Sequence, residues 1–475
     1  MPTQAIAKDT LLASLPQPWP ESLLPTIQDQ NAANQRSLIV LDDDPTGTQT
    51  VYDLPVLTDW SVETLRAELA QGTAVFYILT NSRSLPLAAA QALNAEIGRN
   101  LLAASQATGR DFAVVSRSDS TLRGHYPGET DALAAALGQQ VDATLIIPFF
   151  LEGGRFTIND VHYVAEATAA GDQLVPAAET PFARDAAFGY QKSDLREWVE
   201  EKSGGQVAAH DVAAITLEDL RLGGPDVVAA KLLDLAAGGV CIVNCAATRD
   251  MEVFVSGLLT AEAQGRHFLY RTAATFVQVR AGLAPRPLLT AADLDLPNSG
   301  GGLVVVGSYV PKSTTQLNAL LAQSTIARVE VNVDALLDET QRASELNRAL
   351  GLINEALHGD QDAVIYTSRR LIAGDDAASS LAIGQRISAS LVEIVQRLNV
   401  RPRYLIAKGG ITASDLATKA LGVQRALVRG QLLPGIPLWQ IGAESRYPDL
   451  SYVVFPGNVG GDDALVQAVA KLQLE

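Results

Sequence analysis

Residues 37–50 read Ser-Leu-Ile-Val-Leu-Asp-Asp-Asp-Pro-Thr-Gly-Thr-Gln-Thr. The apolar run up to Leu41 has the pattern of a strand buried on both faces, as strands of a parallel sheet are. It leads directly into Asp42, Asp43 and Asp44, after which Pro45, Thr46 and Gly47 turn the chain. Ligands of open α/β sheets bind at the carboxyl ends of the strands. Three acids at such an end are costly to hold unless something positive meets them. One reading is a solvated acidic turn; the functional reading is that these acids meet Mg²⁺, a substrate hydroxyl, or both.

The rest of the chain repeats the alternation of apolar strand and amphipathic helix that builds parallel sheets. Strands are expected at 37–42, 74–80, 112–116, 143–149, 240–244 and 267–270, with Ala-rich helices at 60–71 and 86–106. Polar clusters follow the strands: Asn81-Ser82-Arg83-Ser84, then Arg117 to Gly124, then Glu152 to Thr157. Arg83, Arg117, Arg123 and Arg155 recur at equivalent points. This pattern predicts a carboxylate or phosphate pocket, because the guanidinium fork suits both anions. Residues 160–235 read as a long, loop-rich insertion, and 282–302, with Pro and a triple Gly, as a domain linker.

A second α/β unit begins at Leu303, with further strands expected at 328–333, 363–367 and 403–407. It carries three Gly-rich turns, each between a strand and a helix: Gly307-Ser308, Gly409-Gly410-Ile411-Thr412, and Pro456 to Gly461 with Gly457 and Asn458. One such turn means little, since glycine also serves ordinary tight turns. Three in one unit point to a nucleotide phosphate site, although none has the GxxxxGK[ST] spacing of a P-loop. Thr412 or Ser414 is expected to cap the helix after the second turn, whose N-terminus favours an anion.

A chain of 475 residues should hold two or three domains. The expected division is an N-terminal extension over 1–35 with a helical turn or two docked on the body, a first domain over 36–285 and a second over 300–475. With 36 Lys and Arg against 53 Asp and Glu, the net charge of −17 argues against a nucleic-acid partner but leaves local Arg clusters free to bind a small anion. Cys241 and Cys245 read as small core residues in a reducing compartment. No apolar stretch approaches the roughly 18 residues of a membrane span, and no basic-then-apolar leader opens the chain. A soluble cytoplasmic protein is the expectation.

Several motifs, in order, resemble those of the four-carbon acid sugar kinase family. Asp42-Asp-Asp-Pro-Thr-Gly-Thr48 is similar to its A-D-D-F-T-G-A, and Arg117-Ser-Asp-Ser-Thr-Leu-Arg-Gly-His125 to its K-x-D-S-T-L-R-G-N. Gly154-Arg-Phe-Thr157 and Thr180-Pro-Phe-Ala-Arg-Asp185 match two further blocks. Gly307-Ser308, Gly409 to Thr412 and Pro456-Gly-Asn458 match the nucleotide half. Pro45, Gln49, Thr50 and His125 depart from the pattern, beside the expected substrate pocket.

The resemblance implies an α/β protein of two domains with mainly parallel sheets flanked by helices and an active-site cleft between them. The first domain would bind a sugar acid and the second a nucleotide. The implied reaction is ATP-dependent phosphorylation of threonate, erythronate or 3-oxo-tetronate, with Mg²⁺ bridging the β- and γ-phosphates. Asp43 or Asp44 would serve as catalytic base. Asp42, Ser82, Arg83, Arg117, Asp119, Ser120, Arg123 and Arg155 would hold the substrate. Ser308, Gly409, Gly410, Ile411, Thr412, Gly457 and Asn458 would hold ATP; no metal ligand is singled out. For Asp119 and Arg123 the alternative is an internal ion pair that steadies their loop. A homodimer is a family-level expectation.

Two other readings compete. Asp42, Asp44 and Thr46 satisfy the D-x-D-x-T pattern of haloacid-dehalogenase-type phosphatases, in which the first Asp is a covalent nucleophile. A downstream Lys and acidic pair are not evident, since Asp462-Asp463 falls in the other domain. The second is a non-catalytic protein that binds a sugar acid or a nucleotide without turnover.

Overall fold

A computed structural model describes residues 5–138, 141–168, 171–308, 310–369 and 377–473. The chain divides into two compact units. Residues 1–51 and 59–285 form the first, and residues 52–58 and 286–475 the second.

The main sheet of the first unit is parallel throughout. Its strand order is Ala213–Ile215, Gly239–Val243, Ala143–Ile147, Phe268–Thr272, Phe112–Arg117, Ser37–Asp42 and Val75–Leu79. Ser37–Asp42 is buried at every position, as its unbroken apolar run requires. The helices Val62–Ala70 and Leu87–Thr108 lie where the sequence pattern places them. Ser61 caps the first by accepting from Thr64 N, and Gly109 ends the second in the left-handed region.

The region expected to be loop-rich is ordered. Arg155–Ile158, Val161–Thr168 and Gly171–Pro176 form an antiparallel sheet whose edge strand is Ile6–Ala7. Helices follow at Leu195–Lys202 and Gly224–Leu233. The strand signal was weak because Val161–Thr168 turns exposed half-way along. Leu195, Trp198 and Val199 anchor the first helix in a core cluster with Leu122, Tyr126 and Ile146. The N-terminal helix Leu24–Asn34 packs into the same unit, where Gln30 donates to Ser256 O and Asn31 to Arg280 O.

In the second unit the strand order is Leu54–Leu57, Arg425–Leu433, Ile436–Ile441, Ser451–Phe455, Tyr404–Lys408, Leu303–Val306, Ala363–Thr367 and Ala327–Val331. The last five run parallel and the others pair antiparallel. The antiparallel strands were not anticipated, nor was the contribution of Leu54–Leu57 from the first half of the chain. The presumed linker is packed rather than free from Leu289 onward. Leu289 and Leu294 are buried in the second core, and Leu289 N donates to Gln431 O at 2.8 Å. Among the described residues no helix is long and apolar enough to cross a membrane.

Candidate active site

The acid run leaves the carboxyl end of Ser37–Asp42 and meets arginines from the two neighbouring strand ends. Arg117 closes the adjacent strand; its Nη1 lies 3.1 Å from Asp42 Oδ1 and 3.7 Å from Asp43 Oδ1. Arg83, in the turn after Val75–Leu79, pairs with Asp44 and lies 3.4 Å from Asp119. Asp44 also caps the short helical turn Pro45–Thr48 by accepting from Thr46 N at 2.8 Å. The Asp42 carboxylate is pressed against the backbone of Gly47, where an added Cβ would come within 2.1 Å of both its oxygens. Gly47 is therefore required by close approach rather than by its turn.

Asp119 is held from several sides: Arg123 Nε donates to it at 2.8 Å, and Thr121 also donates. The internal Asp119–Arg123 pair is thus present. Arg123 also faces Asp185 at 3.7 Å, which joins the second and fourth matched motifs. Ser82 and Ser120 are buried. Ser82 Oγ accepts from Thr80 Oγ1 at 3.1 Å, and the Ser120 carbonyl accepts from His162 Nε2 at 2.8 Å. Arg155 stands apart from the paired arginines. It lies 5.5 Å from the Phe182 ring, which Arg123 approaches to 5.1 Å, and its Nε is buried without a hydrogen-bond partner. His125, where the family carries Asn, binds Leu85 O at 2.9 Å and meets Phe188 edge-on.

These charges set the protonation of the acids. Burial, with Asp43 and Asp44 adding to it and Arg117 opposing, pushes Asp42 up to about 7. Burial works upward on Asp44 and Asp119 as well, but their arginines prevail and hold both below the usual carboxylate range. Asp43 accepts from Ser118 Oγ at 2.7 Å through Oδ2, while its Oδ1 has no hydrogen-bond partner.

Three residues here were not anticipated. Ser118 orients Asp43, and Arg271 donates to Ser118 Oγ at 3.2 Å and to Arg123 O at 3.0 Å. His162 is fully buried, with Nδ1 3.0 Å from Thr157 Oγ1, and burial lowers it to about 4, so it braces the loop as a neutral ring. Arg271 obeys the rule that located the others, a polar group at a strand's carboxyl end, in the strand Phe268–Thr272. His162 lies in the strand that the sequence reading missed.

The second unit gathers its own strand ends. Ser313 Oγ donates to Gly457 O at 3.1 Å and hydrogen-bonds Ser308 Oγ at 3.2 Å, linking the first and third turns. A Cβ at Gly307 would lie 2.4 Å from Thr412 Oγ1, and one at Gly409 2.9 Å from Ser308 Cβ. Gly409 also takes φ +115°, which L side chains rarely adopt. It is the N-cap of the helix Gly410–Asp415, which has no side-chain cap. The expected capping by Thr412 or Ser414 is therefore corrected: both lie inside the helix, and the Thr412 hydroxyl packs towards Gly307. Ile411 is 59% exposed and Asn458 is exposed. Unanticipated here is Lys408, fully buried, which donates to Pro456 O and to Gly457 O at 3.0 Å. Burial, with Lys312 nearby, lowers it to about 7.

The family models that match are a sugar-binding N-terminal domain over residues 38–280 and a nucleotide-binding C-terminal domain over residues 303–465. The chain belongs to the four-carbon acid sugar kinase family. It is 26% identical over 415 residues to a D-threonate kinase of Cupriavidus necator, covering 85% of this chain and 88% of that one. It is 27% identical over 336 residues to a D-erythronate kinase of Heliobacterium modesticaldum, covering 68% and 70%. The fold is shared with a Salmonella typhimurium LT2 protein (TM-score 0.66, 18% identity, 91% and 98% covered). A Haemophilus influenzae protein is also similar (TM-score 0.61, 17% identity, 92% and 100% covered).

The protein is thus a phosphotransferase with a hydroxyl acceptor, and the readings of a phosphatase and of a non-catalytic binder fall. The geometry agrees. The phosphatase reading makes Asp42 a nucleophile, but the Asp42 carboxylate is wedged between Gly47 and Arg117.

Proposed function

We propose that this family member transfers the γ-phosphate of ATP to a hydroxyl of a four-carbon sugar acid of the threonate, erythronate or 3-oxo-tetronate type. The observation that carries the acid half is Arg155. Arg83, Arg117 and Arg123 each spend their charge on aspartates. Among the described residues Arg155 has no carboxylate partner, and burial lowers its pKa. The Asp119 charge opposes this shift without forming an ion pair with Arg155, and a substrate carboxylate would supply the close anion that the buried guanidinium lacks.

In this reading Asp43 takes the proton from the accepting hydroxyl. Its Oδ1 is the carboxylate oxygen left without a hydrogen bond, while Ser118 and Arg117 fix its orientation. Asp44 is committed to Thr46 and Arg83 and acts by holding Arg83 in place. Ser82, Asp119 and Ser120 shape the loops that surround the sugar hydroxyls.

Ser308, Gly409 to Thr412, Gly457 and Asn458 would hold ATP. The glycine positions fit a phosphate site lined by backbone, since side chains at 307 and 409 would collide with their neighbours. Mg²⁺ would supply neutralisation of the phosphate charge and would be held chiefly by the phosphates themselves, with at most one or two protein ligands. Among the described residues no three His, Cys, Asp or Glu side chains gather to cage a metal.

The test is ADP release from Mg-ATP across D- and L-threonate, D- and L-erythronate, the 3-oxo-tetronates, glycerate and tartrate. Release that depends on one of the four-carbon acids is expected. Turnover of glycerate alone, or none with any acid, would overturn the reading.

A further inference from the structure

The nucleotide half holds a second arginine without a counter-ion, and nothing in the motifs points to it. Arg369 follows the strand Ala363–Thr367. Its Nη2 donates to Ser308 O and to Thr314 Oγ1, both at 2.7 Å. Nε and Nη1 are buried and have no hydrogen-bond partner. Of the five N–H groups of a guanidinium, three are therefore unused. Among the described residues no carboxylate pairs with it, and burial lowers its pKa with no opposing charge. Three other buried arginines sit in ion pairs, Arg221 with Asp250, Arg280 with Glu262 and Arg117 with Asp42, while Arg271 and Arg403 spend donors on hydroxyl and carbonyl oxygens.

Its surroundings show which anion belongs there. Ser308, which Arg369 grips by the carbonyl, is linked through Ser313 to Gly457 and packs against Gly409. The helix Pro311–Leu321 begins just beyond, so its unpaired N–H groups add positive potential at the same place. The other cation of the cluster, Lys408, is already engaged with the carbonyls of Pro456 and Gly457. Among the described residues Arg369 keeps buried donors free beside the turns.

We propose that Arg369 is a phosphate-binding residue of the nucleotide site, its Nε and Nη1 donating to the phosphoanhydride while Nη2 fixes the Ser308 turn. This rests on the nucleotide reading given above. The competing role is a brace that shapes the Ser308 turn without touching ligand.

Calorimetric titration of the full chain with ATP, inorganic tripolyphosphate and adenosine separates the two roles. R369Q is expected to lose about tenfold or more in affinity for ATP and for tripolyphosphate, with adenosine affinity unchanged. R369K, which keeps the charge but not the fork, should fall between, and it serves where R369Q does not fold. Equal ATP affinity in a folded variant and the unaltered chain would overturn the proposal, as would an equal loss for adenosine and ATP, the mark of a brace. If the unaltered chain bound neither ATP nor tripolyphosphate, the nucleotide reading itself would fail. ATP binding that survives R369Q undiminished removes Arg369 alone.

Discussion

Around Asp42, Asp43 and Asp44 the walls are side chains; around Ser308, Gly409 and Gly457 they are backbone. In the first unit, aspartates and arginines neutralise one another before any ligand arrives, through Asp42–Arg117, Asp44–Arg83 and Asp119–Arg123. In the second, glycines bring turns within contact of each other, and hydroxyls and carbonyls link them. Both lie at the carboxyl ends of parallel strands. In the proposed reading the difference follows from what each would recognise. A small acid with several hydroxyls needs oriented, individually placed donors and acceptors, whereas a polyphosphate is met well by convergent N–H groups. Arg155 in the first unit and Arg369 in the second nevertheless keep buried N–H groups without a hydrogen-bond partner, as a network completed by an anionic ligand would.

Substitutions that break one end and spare the other test this contrast. The largest effect is expected from Asp43→Asn, which removes the proposed base while leaving the Ser118 hydroxyl a partner. Turnover should fall by about 10³-fold, with the KM for the sugar acid little changed, read by steady-state kinetics. Next comes Arg155→Gln, which should raise the KM for the acid by about 10- to 100-fold, the worth of a charge-assisted hydrogen bond. Its KM for ATP should hold. Gly47→Ala should cost about 2 kcal/mol in denaturant unfolding, because the Asp42 carboxylate must move away from the new methyl group.

The smallest effect is in pH. Burial raises Asp42 to about 7, so its folded form holds a proton that the unfolded chain releases near the ordinary value of 3.8. The stability it contributes is fully present below 3.8 and is lost as pH rises through 7. Asp42→Asn, which mimics the neutral form, should therefore gain in melting temperature relative to the parent from pH 4 to 8. A difference independent of pH would show that Arg117 keeps Asp42 ionised throughout.

How much of this was legible depended on what kind of signal carried it. Parallel strands gave unbroken apolar runs, and the helices Val62–Ala70 and Leu87–Thr108 gave clear periodicity with recognisable ends. The strands Val161–Thr168 and Gly171–Pro176 were hidden because their outer residues are exposed and their pairing is local to an insertion. Leu54–Leu57 is a short strand whose partner, Arg425–Leu433, lies far along the chain, and no local pattern announces such pairing. In the site, Asp, Arg and Gly were visible because they cluster in motifs. Arg271, Lys408 and Arg369 were not, since each follows or ends a strand outside the matched motifs and becomes informative only once its burial and its hydrogen bonds are known. Arg83, Arg117 and Arg123 were correctly placed at the strand ends. Their pairing with aspartates, on which the proposed role of Arg155 rests, is a property of geometry alone.

The most direct test of the two assignments is to measure both Michaelis constants, for the sugar acid and for ATP, in R155Q and R369Q under one ADP-release assay. A crossed result is predicted: R155Q raises only the acid constant and R369Q only the ATP constant. If either variant raised the other substrate's constant, or each raised both equally, the assignment of acid to the aspartate–arginine end and phosphate to the glycine end would be contradicted.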